Sequence, residues 1–144
     1  MHIKIRSLAL ALLALSSGAV AAGQLRISDA WIRTPPPSMR MLAGYAVLHN
    51  DGDTSVVVTA ASSADFGSVS LHESSAHDGV ERMRSIDRLQ IAAGASIALT
   101  PGGKHLMLMQ PQRELKAGDR VAVRLRTTDD KEVVAEFTVR DDAP

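Results

Sequence analysis

The sequence predicts an all-β domain, an antiparallel sandwich or small barrel of about eight strands. Three observations predict it. Short apolar or alternating runs are separated at regular intervals by Gly, Asp, Asn and Pro clusters. No stretch of the mature chain carries a convincing helical period. From Arg120 to Arg126, Val121, Val123 and Leu125 alternate with Arg120, Arg124 and Arg126, the period of a half-buried strand. Strands at this spacing close into sandwiches or barrels.

Taken in order, Pro35-Pro36-Pro37 has no backbone N–H to give a ladder and marks an extended entry segment beside Trp31. A first strong strand is expected over Gly44 to His49, ended by Asn50-Asp51-Gly52, and a second over Ser55 to Ala61. Ser68 to Ser74 and Val80 to Ile86 flank His77-Asp78-Gly79 and read as a hairpin. Ser96 to Thr100 follows Ala93-Gly94, and Pro101-Gly102-Gly103 separates it from His105 to Gln110. Lys116-Ala117-Gly118-Asp119 leads into Arg120 to Thr127, and Thr128-Asp129-Asp130 turns the chain into Val133 to Arg140. Asp141-Asp142-Ala143-Pro144 is a polar end without ligand-type residues.

Residues 1–21 have the pattern of a cleaved secretory signal: basic Lys4 and Arg6, an apolar stretch from Leu8 to Leu15, and small residues at Ala19-Val20-Ala21. The apolar stretch is far short of the ~20 residues of a spanning helix. Cleavage is expected after residue 21 or 22, leaving residues 22–144 as a single exported β domain in the periplasm with no stable membrane insertion. Without Lys4 and Arg6, the 16 basic and 16 acidic residues become 14 against 16, which gives no basic footprint for nucleic acid. An exported domain with no cysteine rests on its core alone, and any metal it holds uses ligands that cannot be lost to disulfides.

The residues that carry chemistry are His72, Met83, His105 and Met107. Neutral imidazole and uncharged thioether select a soft cation such as Cu(I), whereas Mg and Ca want oxygen and structural Zn usually wants thiolate. Val69 and Leu71 face one way and His72 the other, while Leu106 and Leu108 oppose His105, Met107 and Met109. The donors therefore lie away from the core face, although an isolated strand Met usually fills a core gap. His105 and Met107 project in parallel about 6.5–7 Å apart at the backbone. A turn centred on His77-Asp78-Gly79 would set His72 nearly opposite Met83, at roughly 5 Å between side chains.

The spacing of a His, ten residues, a Met, twenty-one residues and His-x-Met resembles the signature of the PCuAC family of periplasmic copper chaperones. The likeness extends over nearly the whole mature chain, through Ala30-Trp31-Ile32-Arg33 and the prolines, Gly44-Tyr45, Leu71-His72-Glu73, the run Pro101 to Met109, and Leu115 to Asp119. It implies a cupredoxin-like Greek-key β-barrel in which His72, Met83, His105 and Met107 bind one Cu(I) as cargo. It also implies delivery to the binuclear copper site of cytochrome c oxidase subunit II, with another copper chaperone or a thiol reductase as further partners. Two features depart from the pattern. Glu73-Ser74-Ser75 follows His72 where many relatives have a Met, and the Met- and His-rich tail of some relatives is missing.

Other residues carry weaker readings. Met109 is a spare donor or a rim-packing residue; Met39 and Met41 could shield the ion from the loop after the prolines. His49 and His77 read as turn residues. The absence of a Cys ligand weighs against a blue-copper redox role. Ser70 or Ser74 beside His72 lacks a nucleophile-elbow motif, so no enzyme is expected. A copper storage or resistance protein, and a metal-independent exported β-sandwich interaction module, are the alternatives to a monomeric carrier.

Overall fold

The structure, a computed structural model, describes residues 24–144. The signal-peptide reading of residues 1–21 lies outside the described residues. Among the described residues ten strands follow one another: β1 (Leu25–Arg33), β2 (Met41–Asn50), β3 (Val56–Ser62), β4 (Phe66–His77), β5 (Val80–Ser85), β6 (Leu89–Ile91), β7 (Ser96–Leu99), β8 (Lys104–Pro111), β9 (Arg120–Thr127) and β10 (Glu132–Arg140). β4, β8, β2, β1, β10, β9 and β3 form a ring that closes through the Ala61 to Val69 pairing of β3 with β4. β5, β6 and β7 are added at its rim, on β4, β3 and β2.

The all-β barrel is the expected class, with two strands beyond the eight foreseen and one parallel contact. β1 lies beside β10 in parallel through Trp31, Ile32 and Arg33, whereas the other pairings are antiparallel. The Trp31 segment is thus a ladder strand and not merely an entry segment. Its alternation is hidden in the sequence by a register shift between Ser28 and Trp31, where Asp29 takes a positive φ of 51°. The bulge flips the pleat, so Ile32 enters the core while Trp31 packs outside it against Tyr45, with ring centroids 4.7 Å apart. β6 has only three residues, too few to show a period.

The core forms from the inward positions of every ring strand, among them Ile32, Leu48, Val58, Leu71, Leu106, Leu108, Val123, Leu125 and Phe137. Leu106 and Leu108 reach it beside Gly44, where an added Cβ would lie 3.0 Å from Leu108 Cδ1 and 3.4 Å from Leu106 Cβ. That close approach brings β2 tight against β8. At the barrel end Glu73 accepts from Lys104 Nζ at 2.9 Å and from the Arg84 guanidinium, tying β5, β4 and β8 across three strands.

Candidate metal centre

Strand register sets the outer face of β4 and β8. His72 stands directly opposite His105, Ser70 opposite Met107, and Ser68 opposite Met109. Their inward neighbours Val69, Leu71, Leu106 and Leu108 are buried, which leaves both imidazoles and both thioethers on the other side, as the alternation predicts. The two rings lie with centroids 6.0 Å apart and planes 27° from parallel. This cross-strand His pair was not visible in the sequence, because nothing local says that β4 borders β8.

The hairpin of β4 and β5 lies two residues away from a direct pairing of His72 with Met83. His72 pairs with Ser85, and Met83 pairs with Ser74. The cause is the turn: Asp78 and Gly79 both have positive φ, 51° and 75°, so they form a two-residue turn of the I′ type, and His77 is the last paired residue. Met83 is therefore a diagonal neighbour of His72 on the same face, at roughly 7–8 Å between backbones. A long thioether chain reaches across that distance. Met83, His105 and Met107 line one groove of about 220 Å³; His72 is not among its lining residues, and its ring stands beside that of His105.

Each ring has one nitrogen engaged and one free. His105 Nδ1 lies 3.1 Å from the Gly103 carbonyl, so it donates, and Nε2 keeps its lone pair. His72 Nε2 lies 3.0 Å from Ser70 Oγ, and its buried Nδ1 has no hydrogen-bond partner. Burial first, and the neighbouring His105 second, lower the His72 pKa below the ordinary imidazole value of 6.5. Both effects favour a neutral ring, the state that can bind a metal.

Among the described residues no three His, Cys, Asp or Glu side chains cluster as a metal site. The donor set on this face is imidazole with thioether, suited to a soft monovalent ion and poor for Zn, Mg or Ca. Glu73, next in sequence to His72, points to the opposite face, where Lys104 and then Arg84 hold its carboxyl below the usual range. His49 bridges Ser28 Oγ at 2.8 Å and Ser96 Oγ at 2.7 Å and takes no part in the site. His77 closes the hairpin at its far end.

Residues 25–139 match the protein family described as "Putative lipoprotein LpqE-like". The chain is 33% identical over 106 residues to a "Putative lipoprotein" of Leifsonia xyli subsp. xyli, covering 73% of this chain and 63% of that protein. It is 27% identical over 103 residues to an uncharacterised protein of Rickettsia prowazekii, covering 71% of this chain and 57% of that one. It thus spans less than two thirds of the length of either relative. Among solved structures it is similar to the apo PCuAC domain from PmoF1, with a TM-score of 0.68, 27% identity, and coverage of 85% of this chain and 97% of that domain. It is also similar to the solution structure of CuI-DR1885 from Deinococcus radiodurans, with a TM-score of 0.65, 27% identity, and coverage of 89% and 84%. The cupredoxin-like barrel and the match over nearly all the described residues agree: this chain belongs to the LpqE-like family, which is the PCuAC family.

Proposed function

We propose that this chain is an exported copper chaperone that carries one Cu(I) on His72, Met83, His105 and Met107 and hands it to an acceptor outside the cytoplasm. The observation that carries the reading is the His72–His105 pair across β4 and β8, each ring with one nitrogen unengaged, beside Met107 and Met83. The Cu(I) form of the similar Deinococcus radiodurans protein supports the choice of ion. The lipoprotein description of the family and of the Leifsonia relative supports export.

The role is binding and transfer, without turnover. Thioethers are neutral and need no deprotonation, so only the imidazoles compete with protons for the ion. Met83 is 52% exposed on an edge strand, so an incoming ligand can displace it before the ring nitrogens are disturbed. An acceptor offering Cys thiolates binds Cu(I) more strongly than thioether and imidazole do. The Cu–S and Cu–N bonds of the donor break as Cu–thiolate bonds form, and the acceptor thiols release their protons to solvent. The binuclear copper site of cytochrome c oxidase subunit II is the acceptor this chemistry fits, once its cysteines are reduced.

The test is a Cu(I) titration of the mature chain under argon against a chromophoric competitor, beside a His105→Ala/Met107→Ala variant whose fold is checked by circular dichroism. One tight equivalent is expected in the parent chain, weakened more than about a hundredfold in the variant, since loss of supporting partners alone costs 10–100-fold. An unchanged affinity in a folded variant refutes the assignment and favours a metal-independent interaction module.

A further inference from the structure

Met39, Met41, Met83, Met107 and Met109 are all the methionines of the chain except Met1. The register puts three of them, Met41, Met107 and Met109, along one track. On the outer face of β4, β8 and β2, successive cross-strand rows read His72 with His105, then Ser70 with Met107 and Ala43, then Ser68 with Met109 and Met41. Rows on one face are about 6.5–7 Å apart along the strands. Met41 and Met109, directly paired, are close enough for both sulfurs to meet one ion.

Met39 comes from the proline loop to the groove that Met41 also lines. Ser38 has a positive φ of 70°, the Met39 amide donates to the Pro36 carbonyl at 3.2 Å, and the Gln110 amide donates to the Arg40 carbonyl at 2.8 Å. These contacts fold the loop onto the end of β8, and Met39 and Met41 line the groove with Met107 and Met83. Small Ala43 opposite Met107 leaves the space between the rows. Arg33, the cation in the groove wall, is drawn aside over the Trp31 ring, 5.5 Å from its centroid.

Core packing does not account for these side chains. Met39, Met41 and Met109 are 48%, 42% and 37% exposed, while the barrel interior is filled by Leu, Val, Ile and Phe. We propose that Met39, Met41 and Met109 form a second, thioether-only site for a soft monovalent cation, Cu(I) or Ag(I), two rows from the His pair with Met107 between them. Three neutral surface thioethers hold such an ion more weakly than a site that adds imidazole. The second site therefore suits an ion in transit, which moves one row at a time by exchanging one thioether for the next.

This inference rests on the reading of the His pair as the first site, and its test separates the two. The mature chain, labelled with ¹³C at the methionine methyls, is titrated with Cu(I) under argon and, separately, with Ag(I). Two variants accompany it: His72→Ala/His105→Ala, and Met39→Leu/Met41→Leu/Met109→Leu, in which each change nearly conserves volume. The parent chain is expected to take one equivalent that shifts the Met83 and Met107 methyls, then a second, at least tenfold weaker, that shifts those of Met39, Met41 and Met109. The triple Leu variant should lose only the second equivalent, and the double His variant only the first. Saturation of the parent at one equivalent with the Met39, Met41 and Met109 methyls unmoved overturns the second site, even if the triple variant proves unfolded. So does a folded triple variant that still takes two. A double His variant that retains the first equivalent refutes the His assignment, while the three methyl signals still decide the second site.

Discussion

At the residue scale, His72 stands directly against His105 across β4 and β8, with ring centroids 6.0 Å apart. Alternation alone placed His72 opposite in facing to Leu71, and His105 and Met107 opposite to Leu106, and the burial of the two leucines agrees. What alternation cannot give is the neighbour across the ladder. The direct apposition of His72 with His105 depends on a β4–β8 contact whose strands are far apart in sequence. That apposition has a titration consequence. His72 is shifted below the ordinary imidazole value by burial and by His105, so in the unfolded chain it takes up a proton at higher pH than in the folded one. Its neutral form stabilises the metal-free fold above the unfolded imidazole value, and that contribution is lost as pH falls from about 6.5 through the lower folded value. Urea unfolding of the metal-free chain should show stability falling over that window, with a smaller fall in His72→Gln. Equal falls in the two proteins would remove His72 as the source.

At the element scale, the hairpin that brings Met83 to the site shows how one turn decides register. The sequence His77-Asp78-Gly79 reads as the centre of the turn, with His72 nearly opposite Met83; the two positive φ angles at Asp78 and Gly79 make a two-residue turn that pairs His77 with Val80 and sets Met83 opposite Ser74. β1 escaped notice for a related reason, since its bulge at Asp29 breaks the alternation on which strand recognition depends. An L side chain at a left-handed position costs about 1–2 kcal/mol, and a Cβ on Gly79 meets nothing within 4 Å, so Gly79→Ala adds backbone strain without a clash. All six residues of β5 are exposed, and β5 lies outside the closed ring. The strain should therefore appear as local opening. Amide exchange in β5 should quicken by roughly fivefold or more, the equivalent of about 1 kcal/mol, while Val121 and Val123 in β9 keep their protection. A matching rise at Val121 and Val123 would mean that the hairpin and barrel open as one unit.

At the scale of the whole molecule, the donor face lies outside a ring that closes without it. The core residues are contributed by every strand of that ring, and none of His72, Met83, His105 or Met107 belongs to the hydrophobic cluster. Small metal domains that fold around their ion have no such core and unfold when it is removed. Here the barrel has its own core and holds the proposed donors in a register fixed by ladder pairing and by the Glu73, Lys104 and Arg84 ion pairs. On the proposed reading, stability and metal binding are separable. Leu106→Ala, on the core side between His105 and Met107, should lower the stability of the metal-free chain by about 2–5 kcal/mol. The metal-free parent chain should unfold cooperatively, with the far-ultraviolet spectrum of the Cu(I)-bound form. Free Cu(I) buffered at about a thousandfold its dissociation constant should then stabilise it by about 4 kcal/mol through mass action alone. Thermal unfolding at several buffered Cu(I) concentrations gives that dependence directly. A metal-free chain that melts without a cooperative transition would show that the ion completes the fold and that the face carrying His72, His105 and Met107 is part of the scaffold.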